Sequence, residues 1–83
     1  MTRDELHATV IRVLTEVAPD VEAGELRGET RLREDLDLDS LDFLDLVAGI
    51  AEATGIEIPE RDYGTLVTLD AFVEYLAGAG PAE

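Results

Sequence analysis

The chain contains no cysteine and no lysine, a single histidine, and no long apolar run. Without cysteine there is neither a disulfide framework nor a thiolate metal site, so packing alone must stabilise the fold. No segment approaches the roughly 20 apolar residues needed to span a bilayer, and no charged stretch leads into an apolar signal core. A cytoplasmic protein is therefore expected. The first helical pattern begins almost at Met1, which reads as a free-standing protein more than a piece of a multidomain enzyme. His7 has no partners at ligand spacing, and a surface or boundary position is expected for it. No set of residues forms a general base, a metal site or a nucleophile constellation, so no catalytic or metal residue is assigned. Basic charge is scarce: six arginines face twenty acids, for a formal net charge of −14. That balance argues against nucleic acid and anionic membranes as partners. It favours basic protein patches, with salt-dependent encounter.

What is present is helical periodicity. The 83 residues suffice for one small domain, taken as 1–83. From about Thr2 to Ala18, Leu6, Val10, Val13, Leu14 and Val17 recur at three- and four-residue spacing, with Thr2 and Glu5 set as a capping box. Pro19 ends this pattern. Residues 20–39 then form a long connection in which Gly24 and Gly28 serve turns, and Val21, Leu26, Leu32, Leu36 and Leu38 are spaced to dip into a core. A second helix is expected from about Ser40 to Thr54, ending at Gly55, with Phe43, Leu44, Leu46, Val47, Ile50 and Ala51 as a broad apolar face. Leu41, Asp45, Ala48 and Glu52 form a stripe on its other side. Ile56-Glu57-Ile58-Pro59 alternates like a strand but has no partner strand, so an extended connector is expected. Pro59 opens a short third helix that Gly64 stops. The last helix starts near Thr68, buries Leu69, Phe72, Val73 and Leu76, and ends at Gly78 and Gly80-Pro81, with Ala82-Glu83 frayed. Four such faces, each too short to stand alone, predict an all-α fold: a small four-helix bundle with three main helices, a short third one, and a long loop between the first two.

The stretch 35–46, DLDLDSLDFLDL, carries the chemistry. Asp39 is an N-cap residue, Asp42 stands where it can reach back as in a capping box, and Ser40 falls in the first turn with its hydroxyl outward. The helix start supplies unpaired N–H groups and the positive end of the dipole, which tolerate an anion such as a phosphodiester. An Asp-Ser pair opening a helix is by itself most often only a cap. Here it lies within leucine-rich flanks, Leu36 and Leu38 before and Leu41 with Asp42 after, ahead of a long amphipathic helix. The whole resembles the prosthetic-group attachment site of acyl carrier proteins.

That resemblance spans most of the chain, and 35–46 is its specific part. It implies that Ser40, preceded by Asp39, carries 4'-phosphopantetheine installed from coenzyme A by a phosphopantetheinyl transferase. Acyl groups would ride on the arm as thioesters and be delivered to fatty acid or polyketide enzymes. The family's long ordered first loop matches Thr30, Leu32, Asp35 and Leu36. Asp37 departs from a frequent glycine but tolerates left-handed geometry. Tyr63 is bulkier than expected and has no functional reading. On the same resemblance, Leu41, Asp42, Asp45 and Glu52 form a docking face for basic patches of acyl-loading and acyl-processing enzymes, with ion pairs of about 1 kcal/mol or less that suit repeated docking and release. An acyl chain would slip between helices lined by Phe43, Leu44, Leu46, Val47, Ile50, Leu66 and Phe72. Phe43 would narrow the entrance and favour short or polar cargo. A monomer without membrane insertion is expected.

Other readings remain. Asp35, Asp37 and Asp39 match the first three ligand positions of a calcium loop, but its glycine position falls on Ser40 and its bidentate glutamate position on Leu46. An unmodified acidic helical interaction module would leave Ser40 bare. Among carriers, aminoacyl, peptidyl or D-alanyl cargo is also open.

Overall fold

The computed structural model describes residues 2–79, which contain three α-helices: α1 (Arg3–Val17), α2 (Ser40–Thr54) and α3 (Leu69–Ala79). Each begins where a side chain can cap it. At α1 the Glu5 N–H donates to Thr2 Oγ1 (3.1 Å) and the Thr2 N–H to Glu5 Oε1 (2.8 Å), a complete capping box. At α2 the Asp42 N–H donates to Asp39 Oδ1 (2.8 Å). Asp42 does not complete a capping box, because aspartate is one methylene shorter than the glutamate that closes one at α1. At α3 the Ala71 N–H donates to Thr68 Oγ1 (3.0 Å). Gly55 ends α2 with φ 74°, its N–H on the Ala51 carbonyl.

Two 3-10 segments complete the helical content, Ala23–Glu25 in the long connection and Glu60–Thr65 after Pro59. The second is the expected short third helix, but Gly64 lies inside it; the tighter i→i+3 pattern runs one residue further. Gly78 likewise lies within α3 and does not end it. Gly80-Pro81 and Ala82-Glu83 fall outside the described residues.

α1 is the central member, packing against both α2 and α3. Gly49 lets the first of these contacts close: a Cβ there would stand 2.7 Å from Val13 Cγ1. The core is wholly apolar. Val10, Leu14, Leu46, Ile50, Phe72 and Leu76 are completely enclosed, and each such burial stabilises the fold by about 1.5–3 kcal/mol. Ile56 and Ile58 are buried while Glu57 is exposed, so the alternating segment is a connector with one inward face.

The long connection is ordered by two devices. Leu32 and Leu38 enter the core, with Leu26 and Leu36 packed beside them; Val21 is only half-buried. Main-chain bonds then stitch it to the start of α3: Leu32 N–H to the Val67 carbonyl (2.9 Å), Leu69 N–H to the Thr30 carbonyl (3.0 Å) and Asp70 N–H to the Gly28 carbonyl (2.9 Å). Among the described residues this region holds one isolated antiparallel bridge, Arg31 with Thr68, and no strand.

Candidate functional site

Residues 31–39 deliver the chain to α2. Arg31 begins a series of turns closed on itself: its N–H donates to Asp35 Oδ2 (2.8 Å), its guanidinium to Asp35 Oδ1 (3.2 Å), and the Asp35 N–H to the Arg31 carbonyl (2.8 Å). These hydrogen bonds, the main-chain one foremost, hold the Asp35 carboxyl below its ordinary range. Arg31 also pairs with Glu34 at 2.7 Å. Asp37 then adopts φ 58°, and the Leu38 N–H donates to the Arg33 carbonyl (3.1 Å). A left-handed residue followed by such a six-to-one bond is the Schellman closure, in which glycine usually takes the position of Asp37. It reverses the chain, buries Leu38 and brings Arg33 back over the beginning of α2.

Ser40, the first residue of α2, is exposed. Asp39 supplies the cap, so the Ser40 hydroxyl is free of that duty and accepts one hydrogen bond, from Arg33 Nη2 at 3.3 Å. The Arg33 guanidinium lies over the Phe43 ring, 5.5 Å from its centroid. Phe43 meets Tyr63 edge to face, with centroids 5.7 Å apart and planes at 74°. Arg33, Phe43 and Tyr63 border an open cleft of about 540 Å³ between the long connection, α2 and the second 3-10 segment. Its apolar wall is Leu38, Phe43, Tyr63, Leu66 and Val67; its polar wall is Arg31, Arg33 and Glu34.

An exposed hydroxyl on a helix start, a cation at hydrogen-bonding distance and an adjoining half-apolar cleft together suit a serine that bears an anionic substituent. A family model described as a phosphopantetheine attachment site matches residues 5–76. The chain belongs to that family. An acyl carrier protein from Rubrobacter xylanophilus is 33% identical over 79 residues, covering 92% of this chain and 93% of the relative. One from Helicobacter hepaticus is 35% identical over 75 residues, covering 90% and 92%. A solution structure of a protein from Anaplasma phagocytophilum, provisionally described as an acyl carrier protein, superposes with a TM-score of 0.85 at 30% identity over 100% of this chain and 97% of that one. The family's role is carriage and not catalysis: acyl groups held on covalently attached 4'-phosphopantetheine.

The residues at the start of α2 fit that group. The exposed Ser40 hydroxyl does not cap the helix and could be esterified, and a guanidinium would then stand beside the added negative charge. When bound, the group supplies the thiol this chain lacks, and with it the thioester bond to cargo.

The expected docking stripe lies on the solvent side of α2. Leu41 is 71% exposed, Asp45, Ala48 and Glu52 are exposed, and Asp42 is half-exposed. Among the described residues none of its carboxylates forms an ion pair within α2 or with another element. The residues expected to line a cargo channel fall in different places. Phe43 and Leu66 border the cleft, whereas Leu46, Val47, Ile50 and Phe72 are core residues that do not reach it. Leu44 does neither: it is 46% exposed. Its position is about 110° around the helix from the centre of the buried face. Arg33, Tyr63, Leu38 and Val67 were not expected at the site. Tyr63, the bulky departure, now has a contact, the edge of Phe43. No cluster of three or more His, Cys, Asp or Glu able to hold a metal occurs among the described residues, and Asp35, the first position of the possible calcium loop, is engaged by Arg31.

Proposed function

We propose that residues 1–83 act as one acyl-carrier domain in which Ser40 is the attachment residue for 4'-phosphopantetheine. The observation that carries this is the Ser40 hydroxyl: exposed, relieved of capping by Asp39, and hydrogen-bonded among the described residues by the Arg33 guanidinium. Asp39 has a positioning part, since its cap fixes the first turn on which Ser40 stands. Leu41, Asp42, Asp45 and Glu52 form the surface on which the phosphopantetheinyl transferase and the acyl-loading and acyl-processing enzymes place basic patches. An exposed leucine ringed by carboxylates gives a small apolar anchor with steering charge around it. Fatty acid or polyketide synthesis fits an acidic docking face, in the cytoplasm and as a monomer. No described helix is long and apolar enough to cross a membrane. Phe43 backed by Tyr63 narrows the way in beside α2, which favours short or polar cargo.

Intact mass spectrometry after incubation with coenzyme A and a broad-specificity transferase tests the assignment. The expected result is one added phosphopantetheine in the parent chain and none in Ser40→Ala. Addition to Ser40→Ala would place the group elsewhere, and no addition to either would leave Ser40 as a helix-start residue only. Charging the product with short and long acyl groups extends the test to cargo: thioester protection should not increase with chain length, and should do so in Phe43→Thr.

A further inference from the structure

The surroundings of Ser40 are hostile to an anion. Asp35, Asp37, Asp39, Asp42 and Asp45 lie within five residues of it in a chain of net charge −14, and a phosphodiester on its hydroxyl would add another negative charge. Two arginines border the neighbouring cleft, and they differ in what they already do. Arg31 is committed: Glu34 stands at 2.7 Å and both oxygens of Asp35 accept from Arg31. Arg33 forms no ion pair among the described residues. Three neighbouring acids are engaged elsewhere, Glu34 and Asp35 by Arg31 and Asp39 by the Asp42 N–H. Its guanidinium instead rests on the buried Phe43 ring and donates to Ser40 Oγ.

We propose, resting on the assignment of Ser40 as the attachment residue, that Arg33 is the anion clamp for the phosphodiester carried there. The oxygen it now touches would become the ester oxygen. The non-bridging oxygens, two bonds away through phosphorus, would come within reach of a planar fork of donors that matches phosphate. The Phe43 ring lies under the guanidinium, so the fork is largely in place before the charge arrives. The Schellman closure at Asp37 sets this position by turning the chain back from Arg33 to α2. Arg33 thus orients the first atoms of the arm toward the cleft wall of Phe43, Tyr63 and Leu66, and it offsets charge that the surrounding aspartates would otherwise repel.

The test compares apo and holo forms, each verified by intact mass, of the parent chain, Arg33→Gln, Arg33→Lys and, as a control, Arg61→Gln, another arginine without an ion pair among the described residues. The readouts are the apo-to-holo change in Tm at low salt and the 31P resonance of the holo form. A merely structural role would shift the Tm of both forms of Arg33→Gln equally. The clamp requires the apo-to-holo change to become less favourable by roughly 2–5 °C in Arg33→Gln, the effect of one exposed charge pair on a domain of this size. It also requires a displaced 31P resonance in that variant, at least partial recovery of both in Arg33→Lys, and no change in Arg61→Gln. An apo-to-holo change and a 31P shift in Arg33→Gln equal to those of the parent overturn the clamp while leaving Ser40 as attachment residue. Absence of any mass gain in all four chains overturns both.

Discussion

α1 and α2 have the same length, fifteen residues, and pack on each other, yet they handle charge in opposite ways. α1 carries both signs and pairs both of its arginines within the molecule: Arg3 reaches Glu74 of α3 at 2.7 Å, Arg12 pairs with Glu16 one turn on, and the box of Thr2 and Glu5 closes its start. α2 has Asp42, Asp45 and Glu52 and no cation at all, and its start keeps a free hydroxyl. The first helix is finished as a piece of structure. The second is finished only on its inner face; its outer face has charge without a counterpart, the condition of a surface that meets other molecules.

The interface the two helices share is the most sensitive point of this comparison. Gly49→Val forces a branched side chain against Val13, itself buried and short, and should lower stability by about 1–3 kcal/mol in urea unfolding. A variant as stable as the parent would mean that the helices can separate cheaply. Next comes the charge asymmetry. The triple change Asp42→Asn, Asp45→Asn and Glu52→Gln should leave stability within about 0.5 kcal/mol while raising the KM of phosphopantetheinyl transfer several-fold at low salt, with the difference shrinking as salt is added. Neutralising Asp4 and Glu16 of α1 should leave that KM unchanged, and equal effects from the two helices would erase the distinction. The smallest effect belongs to the Arg3–Glu74 pair. The hydrogen bond from Arg3 holds the Glu74 carboxyl below its ordinary range, so its contribution is present above the unfolded-state value and is lost as pH falls through the lowered one. Arg3→Gln should therefore be slightly less stable than the parent near neutrality and converge with it in acid, as read from urea midpoints at pH 6 and pH 3.

Much of α1, α2 and α3 was legible in the sequence because caps, proline and apolar spacing are local signals. Thr2 with Glu5, Asp39 with the Asp42 N–H, and Gly55 each act within one turn of helix, and the structure finds them where spacing puts them. Leu44 belongs to the apolar stripe yet is 46% exposed, because periodicity marks a broad stripe without saying how much of it neighbours cover; Phe43, Leu46, Val47 and Ile50 are buried. The proposed docking face was legible as a stripe, since polar and apolar residues alternate along it at helical spacing. Arg33 was not legible. Seven residues before Ser40, it reads as one of six solvated arginines, and only the reversal at Asp37 brings it back over the hydroxyl. The sole advance signal was a residue tolerant of left-handed geometry set between them. Tyr63 likewise gained meaning only through Phe43, twenty residues away in the chain.

The stitching of the long connection to residues 67–70 has a consequence for how the molecule breathes. Gly28, Thr30 and Leu32 are fastened to the entrance of α3 by three main-chain bonds, with Leu32 and Leu69 locked into the core on either side of them. A segment held in this way does not fray residue by residue. It opens as one cooperative unit with the first turn of α3, or stays shut. The connection between α1 and α2 therefore acts as a hinged plate clasped to the far helix, and the serine at its end is carried on a rigid mount even though most of that mount is neither helix nor sheet.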